Sequence, residues 1–191
     1  MNKKLLVLFG SPHKDGSTGK ILKFVLQIAA QQGWKVDSVN LYEQHIGYCN
    51  GCRMCINNGI CVQKDDVQRI SRLIKECDMV VLAAPVYWAN VPAVVKNIFD
   101  RLLGVALEET TTFPKARLSN NQIFFLLTTC NTPMPFSFLC GQSTRAIRSM
   151  KAFFKTSGMK YAGKSVWAGQ NKQVMPKYMK KKITKILKRY V

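Results

Sequence analysis

The sequence predicts a single α/β domain built on a doubly wound, five-stranded parallel sheet, and three observations carry that reading. Short apolar runs alternate with segments of helical periodicity along the chain. The runs are unbroken, as expected of parallel strands buried on both faces. The first of them passes through a loop rich in glycine and hydroxyl groups directly into a helix, the usual start of such a sheet. With 191 residues the chain is long enough to bury a full core, and residues 1–191 are read as one domain.

Taken in order, residues 5–9 form the first strand, and Ile21, Leu22, Val25, Leu26 and Ile28 then follow helical spacing. Residues 35–41 are a second strand, 66–75 a helix, and 79–84 a third strand, apolar throughout. Val91-Pro92 opens a helix with proline in its first turn, continued by Val94, Val95, Ile98, Phe99 and Leu102. Residues 123–128 make the fourth strand, 143–157 a helix closed by Gly158, and 164–167 a short fifth strand. Ligands of doubly wound sheets bind beyond the carboxyl ends of the strands, so the loops after Phe9, Ala84 and Thr128 are the informative ones.

The first loop has the form of a phosphate cradle. Ser11, Ser17 and Thr18 offer hydroxyls, Gly16 allows close backbone approach, and the helix that follows presents free N–H groups and the positive end of its dipole. It is not a Walker loop, because Gly19-Lys20 is followed by Ile21, and no G-x-G-x-x-G dinucleotide fingerprint is present. A hydroxyl-lined loop without a magnesium ligand suits a lone monophosphate, such as that of FMN, better than a triphosphate or pyrophosphate. The alternative is a polar strand-to-helix turn without a ligand. The second loop, Pro85-Val86-Tyr87-Trp88, sets a rigid turn and two large aromatics at the sheet edge, suited to stacking on a flat ring or to capping the core or a subunit interface. The third, from Thr129 to Pro135, adds hydroxyl and amide groups beside two prolines and is weakly specific.

Together, Ser11-Pro-x-x-x-Gly-Ser-Thr18, Pro85-Val-Tyr-Trp88 and Val91-Pro-Ala-x-x-Lys-Asn-x-x-Asp-Arg101 resemble the NADPH-dependent FMN reductase branch of the flavodoxin-like superfamily. Agreement in the order of loops and strands covers roughly residues 3–170. The resemblance implies a flavodoxin-like fold with FMN phosphate on Ser11, His13, Ser17 and Thr18. It also implies that Pro85, Val86, Tyr87 and Trp88 flank the isoalloxazine ring, and that Thr129, Cys130 and Asn131 approach it from the third loop. The family commonly has arginine where this chain has His13, so cationic help for the phosphate is expected from Lys14 or from protonated His13.

Seven cysteines, an odd number, without a secretion signal point to reduced thiols, a metal site or redox chemistry in the cytoplasm. The start of the chain, with lysines before an apolar run, superficially suggests a signal peptide, but the run ends after five residues without a small-residue cleavage site. Cys49, Cys52, Cys55 and Cys61 form a C-x2-C-x2-C-x5-C array within a cysteine-rich loop at 47–62. Zinc sites usually use two separated C-x2-C pairs, whereas successive x2 spacing wraps one iron–sulfide cube, with the fourth ligand brought in by a turn such as that at 57–59. Structural or zinc-bound thiols, and a vestigial loop of free or oxidisable cysteines, are the competing readings. The array resembles that of the iron-sulfur flavoproteins, which share the flavodoxin-like fold. That resemblance implies a 4Fe-4S cluster on Cys49, Cys52, Cys55 and Cys61 that passes electrons to FMN, often across a subunit interface. Cys77, Cys130 and Cys140 fit no ligand spacing. Cys77 is expected to pack near the third strand, and Cys130 is placed to touch the flavin.

The formal charge is +19, all ten acidic residues lie at or before Glu109, and residues 110–191 carry sixteen Lys or Arg without a carboxylate. A basic helix at 177–191 places Met179, Ile183, Ile186, Leu187 and Tyr190 on one stripe, with lysines around it. It reads either as a terminal helix packed on the core with a solvated face or as a footprint for an acidic partner. No run of about 18 apolar residues exists to span a membrane.

These observations favour an FMN-dependent oxidoreductase in which NAD(P)H or a ferredoxin-like donor supplies electrons. They then leave FMN for a small-molecule acceptor or an acidic electron-carrier protein, in a cytoplasmic homodimer or homotetramer. No catalytic acid–base group is needed, since the cofactor carries the chemistry. The alternatives are a cluster-free NAD(P)H-dependent reductase of free FMN, quinones or nitro compounds, and a basic nucleic-acid-binding or redox-sensing module. The last lacks any recognition motif, so no specific nucleic acid is expected.

Overall fold

The computed structural model describes residues 3–169 and 173–191. Met1 and Asn2 of the amino-terminal stretch, and residues 170–172, lie outside the described residues. The elements follow as β1 (Lys4–Phe9), α1 (Ser17–Gln31), β2 (Lys35–Asn40), α2 (Cys55–Asn58), α3 (Val67–Glu76), β3 (Met79–Pro85), α4 (Ala93–Arg101) and α5 (Leu103–Ala106). After them come β4 (Leu107–Glu108), β5 (Lys115–Ala116), β6 (Ile123–Cys130), α6 (Phe136–Leu139), α7 (Gln142–Thr156), β7 (Lys160–Ala168) and α8 (Lys177–Tyr190).

The main sheet runs β2-β1-β3-β6-β7 with every neighbour parallel. That is the flavodoxin-like order, whose direction of winding switches between β1 and β3. Strand side chains alternate between two layers. Leu5, Val7 and Phe9 pack with Ile21, Val25, Met179, Ile183 and Leu187 from α1 and α8. Leu6 and Leu8 pack instead with Ile70, Ile74, Val95, Ile98 and Met150 from α3, α4 and α7. Both faces of β1 are therefore buried, which is why the strand is apolar at every position rather than at every second one.

The five strands and the helices between them lie where the sequence places them, with differences at the ends. β6 continues past Thr128 through Thr129 and Cys130, which pair with Trp167 and Ala168 of β7, and the Thr128 hydroxyl is satisfied inside the sheet by donating to the Ala84 carbonyl at 2.8 Å. β7 begins at Lys160 rather than 164; it is an edge strand whose residues 161–164 are half-buried, and its register shifts opposite Phe124 and Phe125. Pro92 caps α4 instead of entering its first turn. The β4–β5 ribbon is antiparallel and two residues long on each side, too short and too exposed to leave a periodic signal. Along α8, Met179, Ile183, Ile186 and Leu187 are buried, and the Trp34 indole N–H donates to the Leu187 carbonyl at 3.1 Å. No helix among the described residues is long and apolar enough to cross a membrane.

Cys77 sits at the end of α3, 5% exposed, with burial pushing its thiol up to about 12. At neutral pH it is a small hydrophobe. Alkylation of the native protein should leave Cys77 unmodified while modifying Cys140, which is exposed. Mass spectrometry with and without denaturant checks this.

Candidate functional site

The three informative loops leave the carboxyl ends of β1, β3 and β6, which are adjacent in the sheet. Hydrogen bonds stitch them together. The Gly10 amide donates to the Ala83 carbonyl at 2.9 Å, and the Val86 amide to the Thr129 carbonyl at 2.8 Å. The Thr18 and Thr129 hydroxyls meet at 2.8 Å. A Cβ on Gly10 would stand 2.3 Å from Val95 Cγ2, so glycine is what lets α4 close against the first loop.

The first loop delivers the helix end that the sequence suggests. Gly16 is the extended N-cap of α1 and supplies no capping side chain, and no acidic residue occupies the first turn. The opening N–H groups of the helix therefore remain available to an anion. Ser11 is 4% exposed and its Oγ accepts from the His13 amide at 3.3 Å, leaving its own O–H as a donor. Thr18 is equally enclosed, at 3%, and shares its hydroxyl with Thr129. Gly19 is the steric key, because a Cβ there would lie 1.7 Å from the Lys14 carbonyl oxygen. This donor set, with hydroxyls and amides and no carboxylate, fits a monophosphate. Lys14 is turned away from that role: its ammonium pairs with Glu43, whose carboxyl it holds below the ordinary value. His13 is exposed beside the loop.

The second loop closes as a two-residue turn in which the Tyr87 and Asn90 backbones exchange hydrogen bonds of 2.8 and 2.9 Å. Its two central residues, Trp88 and Ala89, adopt φ of 50° and 57°. Such turns ordinarily take glycine or asparagine at these positions. Two L residues are held there in a strained conformation, with the Trp88 ring fully exposed. Pro85 and Val86 are half-buried and Tyr87 is exposed. From the third loop, Thr129 and Cys130 are buried at the end of β6, and Asn131 is exposed beyond them.

The four cysteines also come together. Cys49, Cys52, Cys55 and Cys61 line one cavity of about 40 Å³ with Arg53, Gln63, Asp100, Arg101 and Leu103. Among the described residues no three His, Cys, Asp or Glu side chains are placed to hold a single metal ion. The 57–59 segment is the end of α2, closed by Gly59 in the left-handed conformation at φ 74°.

The framework of this loop was not legible beforehand. Arg117 donates to the Ile56 carbonyl at 2.5 Å and the Gly104 carbonyl at 3.0 Å, clamping the end of α2. Gln68 donates to the carbonyls of Cys61 and Gln63 at 2.7 and 2.9 Å. A Cβ on Gly104 would meet the Cys55 carbonyl oxygen at 2.2 Å. Beneath the loop lies the ion pair of Arg101 and Asp65, side chains 0% and 5% exposed. One signal could have found it: Arg101 falls on the buried stripe of α4, three residues after Ile98, where a charge needs a partner.

A family model for NADPH-dependent FMN reductase matches residues 3–173. An iron-sulfur flavoprotein of Archaeoglobus fulgidus is 41% identical over 100 residues, 52% of this chain and 46% of that protein. Another from Clostridioides difficile is 27% identical over 191 residues, 98% of this chain and 77% of that one. The chain spans about half the length of the archaeal relatives it matches. Among solved structures, an FMN-dependent NADH-azoreductase from Bacillus anthracis in complex with FMN superposes with a TM-score of 0.72 at 15% identity, covering 99% of this chain and 97% of that one. That likeness establishes the shared fold.

Proposed function

The chain belongs to the NADPH-dependent FMN reductase family, and we propose that it is an FMN-dependent oxidoreductase whose cysteine loop carries a 4Fe-4S cluster. The observation that carries the flavin reading is the stitched set of three loops around the uncapped start of α1. Ser11, His13, Ser17 and Thr18 hold the phosphate with the first-turn amides. Pro85, Val86, Tyr87 and Trp88 bound one side of the ring, and Thr129, Cys130 and Asn131 approach it from β6. Cys49, Cys52, Cys55 and Cys61 are the iron ligands, a reading supported by their common pocket and by the names of the relatives. When bound, FMN supplies hydride and single-electron chemistry, and the protein sets its orientation and environment.

The same proposal includes a homodimer or homotetramer in which the cysteine pocket of one subunit serves the flavin of another. Purification without oxygen, followed by flavin, iron and acid-labile sulfide assays, tests the whole reading. FMN with about four irons and four sulfides per chain is expected for one cluster. FMN without iron would leave a cluster-free NAD(P)H-dependent reductase, and no FMN would overturn the proposal.

The donor is NAD(P)H or an acidic carrier protein, and the basic half of the chain favours the carrier. Lysines 177, 180, 181, 182, 185 and 188 of α8 are solvated around its buried stripe. Reduction by a ferredoxin-like protein should slow steeply as ionic strength rises from about 0.01 to 0.3 M, whereas reduction by NADPH should change much less. Stopped-flow rates at a series of salt concentrations check this.

A further inference from the structure

Arg101 lines the cysteine pocket, yet its shorter hydrogen bonds run to residues outside the pocket wall, and only a long one of 3.5 Å, from Nη2 to the Gln63 carbonyl, reaches a residue of the wall. Nη1 and Nη2 donate to the two Asp65 carboxylate oxygens at 2.7 and 3.0 Å, and Nη1 also donates to the Gly47 carbonyl at 2.6 Å. Asp65 is not part of the pocket wall. The remaining donor, Nε, is buried without a hydrogen-bond partner. A charged donor left unsatisfied in the interior is costly, and a purely structural ion pair would have no reason to keep one.

We propose that Arg101 turns its Nε–H and its buried positive charge toward the sulfur atoms of the group held by the four cysteines, and thereby raises the reduction potential of that group. The inference rests on the cluster reading above. Hydrogen bonds to sulfur and local net charge are the levers that set such potentials, and both favour the more negative, reduced state. Asp65, on the other side of the guanidinium, tempers the effect.

The test is a redox titration of the holoprotein, followed by electron paramagnetic resonance, in wild type, Arg101→Gln, Arg101→Lys and Asp65→Asn. Iron content and FMN content are measured in each. Arg101→Gln should lower the potential by at least tenfold in the oxidised-to-reduced ratio, about 59 mV for one electron. Arg101→Lys should fall between, keeping charge but losing Nε–H. Asp65→Asn should shift the potential upward, because it unmasks the guanidinium. Opposite shifts in the two neutralising variants are the signature that a scaffolding role would not produce. Should Arg101→Gln fail to fold, the Asp65→Asn and Arg101→Lys titrations decide. Full iron with unchanged potentials, or shifts of the same sign, would overturn the inference and leave the cluster reading standing. Wild-type protein that takes up no iron would overturn both.

Discussion

Gly19→Ala is expected to weaken FMN binding by roughly 10²-fold or more while leaving the sheet intact. The added Cβ would lie 1.7 Å from the Lys14 carbonyl oxygen and 2.4 Å from its carbonyl carbon, so the obstacle is backbone and cannot rotate away. Either the 13–16 segment lifts off the first turn of α1 or the helix start shifts. Both displace the amides and the Ser11 and Thr18 hydroxyls that we propose hold the phosphate. Charge-assisted hydrogen bonds contribute about 1.5–3 kcal/mol each, so misaligning two of them corresponds to the stated loss. Fluorescence titration with FMN measures it, and a circular dichroism spectrum matching wild type confirms that the fold persists. Unchanged affinity would place the phosphate elsewhere.

Asp65→Ala should destabilise the fold by about 3–5 kcal/mol, because it strands a buried guanidinium. The carboxylate also accepts from the Gly47 amide at 3.0 Å and the Val67 amide at 3.1 Å, so the cysteine loop and the start of α3 loosen together. Replacing both partners by apolar residues, Asp65→Leu with Arg101→Met, should cost less than Asp65→Ala alone. Urea unfolding curves of the three proteins test the order. The pair also makes stability depend on pH. Burial raises the Asp65 pKa, but Arg101 and the two amides outweigh burial and hold it below its ordinary 3.8. A depressed native pKa means stabilisation that is complete at neutral pH, begins to fail as pH drops to about the unfolded value, and is lost as pH passes below the native one. Asp65→Ala should lack that component of the acid transition.

The fold was legible because it rests on pattern. Unbroken apolar runs in β1 and β3, the stripe of α8 and the glycine after α7 each reflect a local rule that the packing did not override. That the loops after β1, β3 and β6 gather at one edge was legible for the same reason, since strand order places them. What escaped the sequence depends on contacts distant along the chain. Lys14 reads as a cation beside a phosphate until Glu43, twenty-nine positions on in the chain, is seen to hold it. The spacing of the cysteines marks out their loop, but the clamps that shape it, Arg117, Gln68 and the Arg101–Asp65 pair, come from other elements and follow no period. The strained Trp88-Ala89 turn is equally silent, since neither residue announces a left-handed backbone.

The account stands most directly on flavin binding at the edge of β1, β3 and β6. Protein freed of flavin and titrated with FMN under anaerobic conditions should bind about one FMN per chain, as for a single phosphate cradle, and the bound flavin should bleach when NADPH or a reduced ferredoxin-like carrier is added. Failure to bind FMN, in protein whose fold is intact, would contradict it.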